Sequence, residues 1–286
     1  LRRFEYHEPG TLAEASDLLT GLGEGTFLLA GGTDLLVEIR ERLRRVHHLV
    51  NIKRIADIDA VTLDGEGLRF GALVTAGALE RHPEVARLYP NLWAGLRSLG
   101  SIQVRNRATV VGNICRASPS ADTIPPLVAD GAEIETWAPD GGRRIALADF
   151  FAGPGRSVLA PGEIATGIRV PHPATGSGRA YIKHGRRKAM ELATVGVAVS
   201  LDTADGRCTA ARIALGAVGP TVLRAPGAEA ILTGSRLDAG TVAAAAEQAM
   251  LECTPISNVR SSATYRRDMV GVLTRRAVTL ALEAAA

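Results

Sequence analysis

The ten residues Phe27-Leu28-Leu29-Ala30-Gly31-Gly32-Thr33-Asp34-Leu35-Leu36 constrain this chain more than any other stretch. An apolar run meets two glycines and then residues that start a helix, so the segment reads as buried strand, tight turn, helix. Gly31 and Gly32 have no Cβ, which lets the backbone take positive φ and lets a ligand approach closely. Thr33 or Asp34 can cap the following helix, whose first N–H groups have no partners inside it. Such a turn can cradle a phosphate on backbone N–H groups. Taken alone it reads as an ordinary strand-to-helix turn. A second stretch, Arg105 to Asp122, turns attention to a ligand.

The flanks supply the surrounding structure. Thr11-Leu12-Ala13-Glu14 has the Ser/Thr-x-x-Glu capping pattern, and Leu12, Ala15, Leu18, Leu19 and Leu22 continue one apolar face up to Gly21–Gly25. After the glycine turn, Leu35, Leu36, Ile39 and Leu43 are expected to share the inner face of a second helix. Arg40, Glu41, Arg42, Arg44 and Arg45 then form its solvated outer face. His47 to Ile52 reads as a strand. From Ile55 the pattern becomes strand Gly67–Leu73, a helix capped by Thr75, further helices punctuated by Pro83 and Pro90, and strands at 132–138, 143–147 and 164–170. Pro171 to Gly178 is the linker candidate. Beyond it Val195, Val197, Val199 and Leu201 alternate, Asp205-Gly206 turns the chain, and Ile213, Leu215 and Ala217 alternate again, a hairpin pattern. Helices Thr241–Cys253 and Ser262–Glu283 close an α+β C-terminal third.

The totals exclude several classes. The 286 residues, 46% hydrophobic and 22% charged, suit an ordinary globular chain of two or three domains. No apolar run approaches the roughly 20 residues that span a bilayer, and Leu1 to Glu5 opens no signal-peptide pattern. Cys115, Cys208 and Cys253 lie far apart without a CxxC spacing, which argues against a zinc or iron–sulfur site in this chain and suits a cytoplasmic setting. A net charge of +3 suits an anionic ligand and is too small to indicate nucleic acid. No G-x-G-x-x-G, P-loop, HExxH or G-x-S-x-G pattern is present. The histidines at 7, 47, 48, 82, 172 and 184 show no nucleophile or metal-ligand spacing, so no metal site and no catalytic side chain is expected. Chemistry in such a chain falls to a bound cofactor.

Two turns, Ala30 to Asp34 and Thr109 to Asn113, can converge on one pyrophosphate, with backbone amides and the Thr33 and Thr109 hydroxyls as neutral donors. Asp122, twelve residues after Val110, either accepts from a ribose hydroxyl or closes an Asx-type turn before Pro125.

Ala30-Gly31-Gly32-Thr33-Asp34-Leu35-Leu36 resembles the AGGTDLL segment of the flavin subunits of molybdenum hydroxylases, the medium subunits of the xanthine dehydrogenase and aerobic carbon monoxide dehydrogenase family. Gln103 to Asn113 resembles their QVRNRATVGGN segment, Ser118-Pro119-Ser120-Ala121-Asp122 their SPxxD, and Lys183-His184-Gly185-Arg186-Arg187 the K-x-x-R-R opening their C-terminal domain. The resemblance runs from near residue 4 to near residue 280. It implies an α+β chain: a two-part FAD-binding domain of the vanillyl-alcohol oxidase (PCMH) type over 1–54 and 55–174, then a C-terminal α+β domain of the carbon monoxide dehydrogenase flavoprotein type over 179–286. It further implies that Leu29, Ala30, Gly31, Gly32, Thr33 and Asp34, with Thr109, Val110, Val111, Gly112 and Asn113, hold the FAD pyrophosphate, and that Asp122 serves the adenosine side. Leu99, Gly100, Ser101, Ile164 and Ile168 would line the pocket, and Lys183 would stand near the flavin ring. Val111 departs from the family pattern, standing where many relatives have glycine. The cysteine-bearing insert of the 4-hydroxybenzoyl-CoA reductase branch is missing, and no histidine suggests a covalent flavin link, so the FAD is expected to be non-covalent.

The resulting expectation is an electron-transfer flavoprotein subunit. A large partner subunit would carry the molybdenum cofactor, and a small one two [2Fe-2S] clusters. The acceptor would be NAD, a quinone, oxygen or another carrier. No nucleic acid and no membrane span enter this reading. A standalone FAD-dependent oxidoreductase is the alternative, and a nucleic-acid-binding module built on the Arg40–Arg45 run is a more distant one.

Overall fold

The structure, a computed structural model, describes residues 3–285. It opens with β1 (Glu5–His7), α1 (Leu12–Gly21), β2 (Thr26–Leu29), α2 (Leu35–Arg40) and β3 (His48–Asn51). The three strands form a parallel sheet in the order β1-β3-β2, which requires crossovers, and α1 and α2 supply them. Thr11 caps α1 by accepting from the Glu14 amide at 3.1 Å, while Glu14 Oε2 accepts from the Gly10 amide at 2.7 Å. The expected inner face of α2 is cut short. Of its apolar residues only Ile39 is buried, and Leu36 and Leu43 are 48% and 78% exposed. The helix ends at Arg40, Arg42 takes φ 60°, and the Leu43 amide turns back to the Glu38 carbonyl, so Leu43 leaves the helical register.

The next unit contains β4 (Val61–Asp64), β5 (Gly67–Gly71), then α3 (Ala76–Glu80), α4 (Pro83–Leu88), α5 (Pro90–Ser98), α6 (Ile102–Arg105), α7 (Val110–Cys115) and α8 (Ile124–Ala129). It continues through β6 (Glu133–Trp137), β7 (Arg144–Ala146), the short pair β8 (Phe151–Gly153) and β9 (Arg156–Ser157), and β10 (Ile164–Pro171). An antiparallel sheet in the order β4-β5-β10-β6-β7 packs Phe70, Ile134, Ile168 and Val170 against Leu79, Leu92, Leu96 and Leu127 of the helices, all fully buried. Pro83 and Pro90 each occupy the first turn of a helix, where a missing N–H costs nothing.

The last unit holds β11 (Ser177–His184), β12 (Val195–Ala204), β13 (Arg207–Gly216), β14 (Leu223–Arg224), α9 (Pro226–Leu232), α10 (Ala239–Glu252) and α11 (Ala263–Ala285). Its strands are antiparallel in sequence order. Asp205 and Gly206 both take positive φ, 52° and 71°, as a two-residue hairpin loop between right-twisting strands demands. One face of the sheet (Val197, Ile213, Leu215) packs on Ala245, Ala249, Val270 and Ala277 of α10 and α11. The other face docks on α5 and α8. There Asp130 accepts from Asn91 Nδ2 at 3.0 Å, Ser200 Oγ at 2.7 Å and Arg179 Nε at 3.2 Å. The stretch 171–178 is therefore no loose tether: β10 runs to Pro171, β11 starts at Ser177, and the docking holds β11 beside α5, with Arg179 bonded to Asp130 at the end of α8. Among the described residues no helix is long and apolar enough to cross a membrane.

Candidate functional site

A cavity of about 730 Å³ opens between the β2–α2 turn, α7 and the segments around residues 99–100 and 190–192. Leu29, Ala30, Gly31, Gly32, Thr33 and Asp34 all lie on its wall, and Thr109, Val111, Gly112 and Asn113 face them. Leu99, Gly100 and Asp122 also line it. The two turns thus meet, as their composition suggested. The remaining candidates do not reach the wall. Val110, Ile164 and Ile168 are fully buried in the core behind it, and Glu163 and Ala165 contribute the surface instead. Ser101 spends its hydroxyl on the Val104 amide as the cap of α6.

Gly32 takes the positive φ expected of the turn, and Gly31 has a further role that the sequence did not reveal. A Cβ on Gly31 would sit 2.2 Å from the Arg107 carbonyl oxygen, so this glycine lets the two turns close on each other. Gly32 takes φ +77°, and a Cβ there would lie 3.0 Å from the Leu29 side chain. The second turn is pinned from behind, since the Ala76 amide donates to Ala108 O at 2.8 Å and Val110 N to Val74 O at 3.4 Å. Thr109 Oγ1 accepts from the Gly112 amide at 3.1 Å and so caps α7.

The start of α2 differs from the other helix starts. Thr11, Thr75, Ser101, Thr109 and Asp238 cap α1, α3, α6, α7 and α10 with their side chains. Prolines open α4, α5, α8 and α9, and Ser262 Oγ accepts from the Tyr265 amide at α11. At α2 neither Thr33 nor Asp34 caps, contrary to expectation. Among the described residues the amides of Gly31, Gly32, Thr33, Asp34 and Leu35 have no hydrogen-bond acceptor. A consecutive run of idle amides on a cavity wall is an anion-binding surface.

Charge near that surface is balanced. Glu38 accepts from Arg44 at 2.7 Å and Arg116 at 2.8 Å, and the Arg44 guanidinium lies 4.8 Å over the Phe27 ring. Arg44 is therefore not on a solvated helix face; the chain has already left α2 and folds the side chain inward. Burial raises the Asp34 carboxyl above the ordinary range, Arg116 opposes that rise and Glu38 adds to it.

Asp122 is 4% exposed and lies beneath the far side of the cavity. Its Oδ2 accepts from Lys183 Nζ at 2.7 Å and its Oδ1 from Tyr181 Oη at 3.2 Å. Burial lifts its pKa to about 6 although Lys183 pulls it down. Lys183 is not on the cavity wall; its other protons go to Ser98 O at 3.0 Å and Glu191 O at 2.7 Å. It orients Asp122. Arg105 has a similar positioning role: it pairs with Glu80 at 2.6 Å and donates to Leu99 O at 3.0 Å, fixing the loop that carries Gly100.

Several wall residues had no sequence signal. Glu38, Arg44 and Arg116 converge only because α2 ends early, and Met190, Glu191 and Leu192 arrive from the distant β11–β12 loop. Burial pushes the Cys115 thiol up to about 12, so it offers no thiolate. Histidine does not occur on the wall. The arrangement supplies amides, hydroxyls and carboxylates mostly held in ion pairs, a set for binding rather than proton transfer.

Comparison with known proteins gives two family matches: the FAD binding domain in molybdopterin dehydrogenase over residues 2–173, and the CO dehydrogenase flavoprotein C-terminal domain over residues 180–281. The chain is 36% identical to the carbon monoxide dehydrogenase medium chain of Afipia carboxidovorans, covering 96% of this chain and 95% of that one. It is 33% identical to the xanthine dehydrogenase FAD-binding subunit of Escherichia coli O157:H7, covering 98% and 96%. Its fold is similar to a chain of carbon monoxide dehydrogenase from Hydrogenophaga pseudoflava, with TM-score 0.96, 35% identity and coverage of 100% and 99%.

Proposed function

This chain belongs to the family of FAD-binding medium subunits of molybdenum-containing dehydrogenases, and from that premise we propose that its cavity holds FAD non-covalently and that it works as the electron-transfer subunit of a larger complex. The observation that carries the cofactor assignment is the run of acceptor-free amides from Gly31 to Leu35 facing the α7 turn across the cavity. Those amides suit phosphate oxygens, which accept hydrogen bonds from consecutive backbone N–H groups at a helix start. The Thr33 hydroxyl adds a donor. Asn113 Oδ1 accepts from Thr123 at 2.7 Å, which leaves its Nδ2 to donate. Val111, buried at 3% exposure, lays its side chain along the wall while its amide remains without an acceptor among the described residues. The valine at this position therefore still suits a phosphate turn.

Asp122, held by Lys183 and Tyr181, accepts from a hydroxyl on the adenosine side. Lys183 orients that carboxylate. Residues 1–54 and 55–174 form the FAD-binding part and 179–286 the C-terminal domain. A bound flavin supplies the chemistry of taking up electrons and handing them on. The protein's share is to bind it, orient it and set its surroundings. A large subunit with molybdenum cofactor and a small subunit with [2Fe-2S] clusters complete the complex, and NAD or another acceptor receives the electrons.

The test is the visible absorption spectrum of the purified chain, before and after acid release of its chromophore. A flavin spectrum with FAD in the supernatant supports the assignment, and co-purification of two further subunits supports the assembly. A colourless chain that takes up no added FAD overturns it.

A further inference from the structure

Away from the cavity, three side chains on the first sheet come together in a way that their separation in sequence concealed. Parallel pairing of β1 with β3 sets Glu5 opposite His48 and His7 opposite Val50. Residues two apart on a strand share a face, so Glu5, His7 and His48 all project from one side of the sheet. The donor atoms converge. His7 Nε2 lies 3.3 Å from His48 Nδ1, and Glu5 Oε2 lies 3.4 Å from His48 Nδ1 and 3.8 Å from His7 Nε2.

The three donor atoms lie within 4.8 Å of one another, close enough to share one metal ion. An ion equidistant from the three atoms lies about 2.0 Å from each in their plane and about 2.1 Å when raised toward a fourth, tetrahedral ligand, the range of zinc bonds to imidazole nitrogen and carboxylate oxygen. Two ligands at that length in tetrahedral geometry stand about 3.3 Å apart, the separation of the two imidazole nitrogens. An imidazole–imidazole hydrogen bond with an ion pair to the exposed Glu5 carboxylate is the metal-free alternative, and the zinc titration below decides between the two. Both histidines are partly buried, with side-chain exposures of 23% and 20%, which limits the entropy lost on fixing them. The register also sets Thr26 of β2 opposite His48. Its hydroxyl is buried without a partner.

We propose that Glu5, His7 and His48 form a binding site for a first-row divalent cation, zinc above all, with solvent completing the coordination. Two imidazoles and one carboxylate favour zinc, nickel or copper over the oxygen-seeking magnesium and calcium. Bound there, the cation ties the short edge strand β1, which pairs only with β3, to the body of the first sheet. None of the three residues lines the cavity, so the site is separate from the proposed flavin pocket.

The test uses the full chain without a histidine tag. Zinc chloride is titrated calorimetrically, and thermal unfolding is followed with and without zinc. One equivalent should bind, and zinc should raise the unfolding temperature while magnesium chloride leaves it unchanged. His48→Gln and His7→Gln should each weaken zinc binding about tenfold or more and abolish the zinc-dependent shift. Two variants are used so that a folding defect in one leaves the other informative, and equal flavin uptake certifies the fold. Zinc binding that is absent in the wild-type chain, or equally tight in both variants, overturns the proposal.

Discussion

Lys183 Nζ stands 2.7 Å from Asp122 Oδ2 and uses its other protons on the carbonyls of Ser98 and Glu191. One ammonium thus ties together β11, the end of α5, the β11–β12 loop and the carboxylate beneath the cavity. Replacing it by methionine leaves Asp122 buried with only Tyr181 as partner. Stranding one charge of a buried pair costs about 3–5 kcal/mol. Lys183→Met should therefore lower the unfolding temperature markedly and weaken FAD uptake, measured by flavin-fluorescence quenching. Unchanged stability and uptake would show that the pair holds nothing in place.

The same pair sets a pH dependence. The folded Asp122 pKa of about 6 lies above the unfolded carboxylate value, so between the two the folded chain holds the extra proton. Its ionisation lowers stability as pH rises through that window and changes nothing further above about 6. Flavin binding should move the opposite way, because the proposed hydroxyl acceptor is the ionised form. FAD affinity of the wild-type chain should fall as pH drops through about 6, and Asp122→Asn should flatten that profile. A wild-type affinity that is level from pH 7 to about 5 removes Asp122 from flavin binding.

Much of this was legible beforehand, and the gaps have physical causes. The strand–turn–helix reading at 27–36 and the two-residue hairpin at Asp205-Gly206 rest on local backbone preferences, which act within a few residues. The meeting of the Ala30–Asp34 and Thr109–Asn113 turns was expected, but the reason for Gly31 was not, because Arg107 O is a partner from another unit. Helix α2 misled, since nothing in the spacing of Leu36, Ile39 and Leu43 reveals that Arg42 reverses the chain. The resemblance put Lys183 near a flavin ring; its bonds to Asp122, Ser98 and Glu191 were not legible, because those acceptors come from three separate parts of the chain. The strands β1, β4, β8, β9, β11 and β14 carried no readable signal: five have four residues or fewer, and β11 carries mixed side chains.

Gly31 and Gly32 should fail in different ways. Gly31→Ala places a methyl 2.2 Å from the Arg107 carbonyl, which must push the two turns apart. Overpacking of this kind costs about 1–3 kcal/mol, and FAD content should fall along with stability. Gly32→Val meets the positive φ of +77° instead, a conformation β-branched residues resist. The ratio of flavin to protein absorbance in each folded variant is the measurement. Full flavin content in folded Gly32→Val would sink the assignment of this turn.

Glu163 gives a prediction that separates the cavity wall from the core. Its carboxylate accepts from Arg143 Nε and Nη2, each at 2.8 Å, and from the Ala160 amide at 2.8 Å. The Arg143 bonds, aided by Ala160, hold its pKa down to about 2 against the opposing effect of burial. A folded value below the unfolded one means that Glu163 stabilises the fold above the ordinary carboxylate range, and that this contribution drains away as pH falls toward about 2. Glu163→Gln keeps the shape and loses the charge of the pair, a modest loss because the Arg143 side chain is half exposed to solvent. Urea unfolding at pH 7 should show the variant less stable, with the difference from wild type shrinking steadily as the titration is repeated toward pH 3. A difference that stays constant with pH would mean that the variant is weakened by packing at the cavity wall, not by loss of the ion pair.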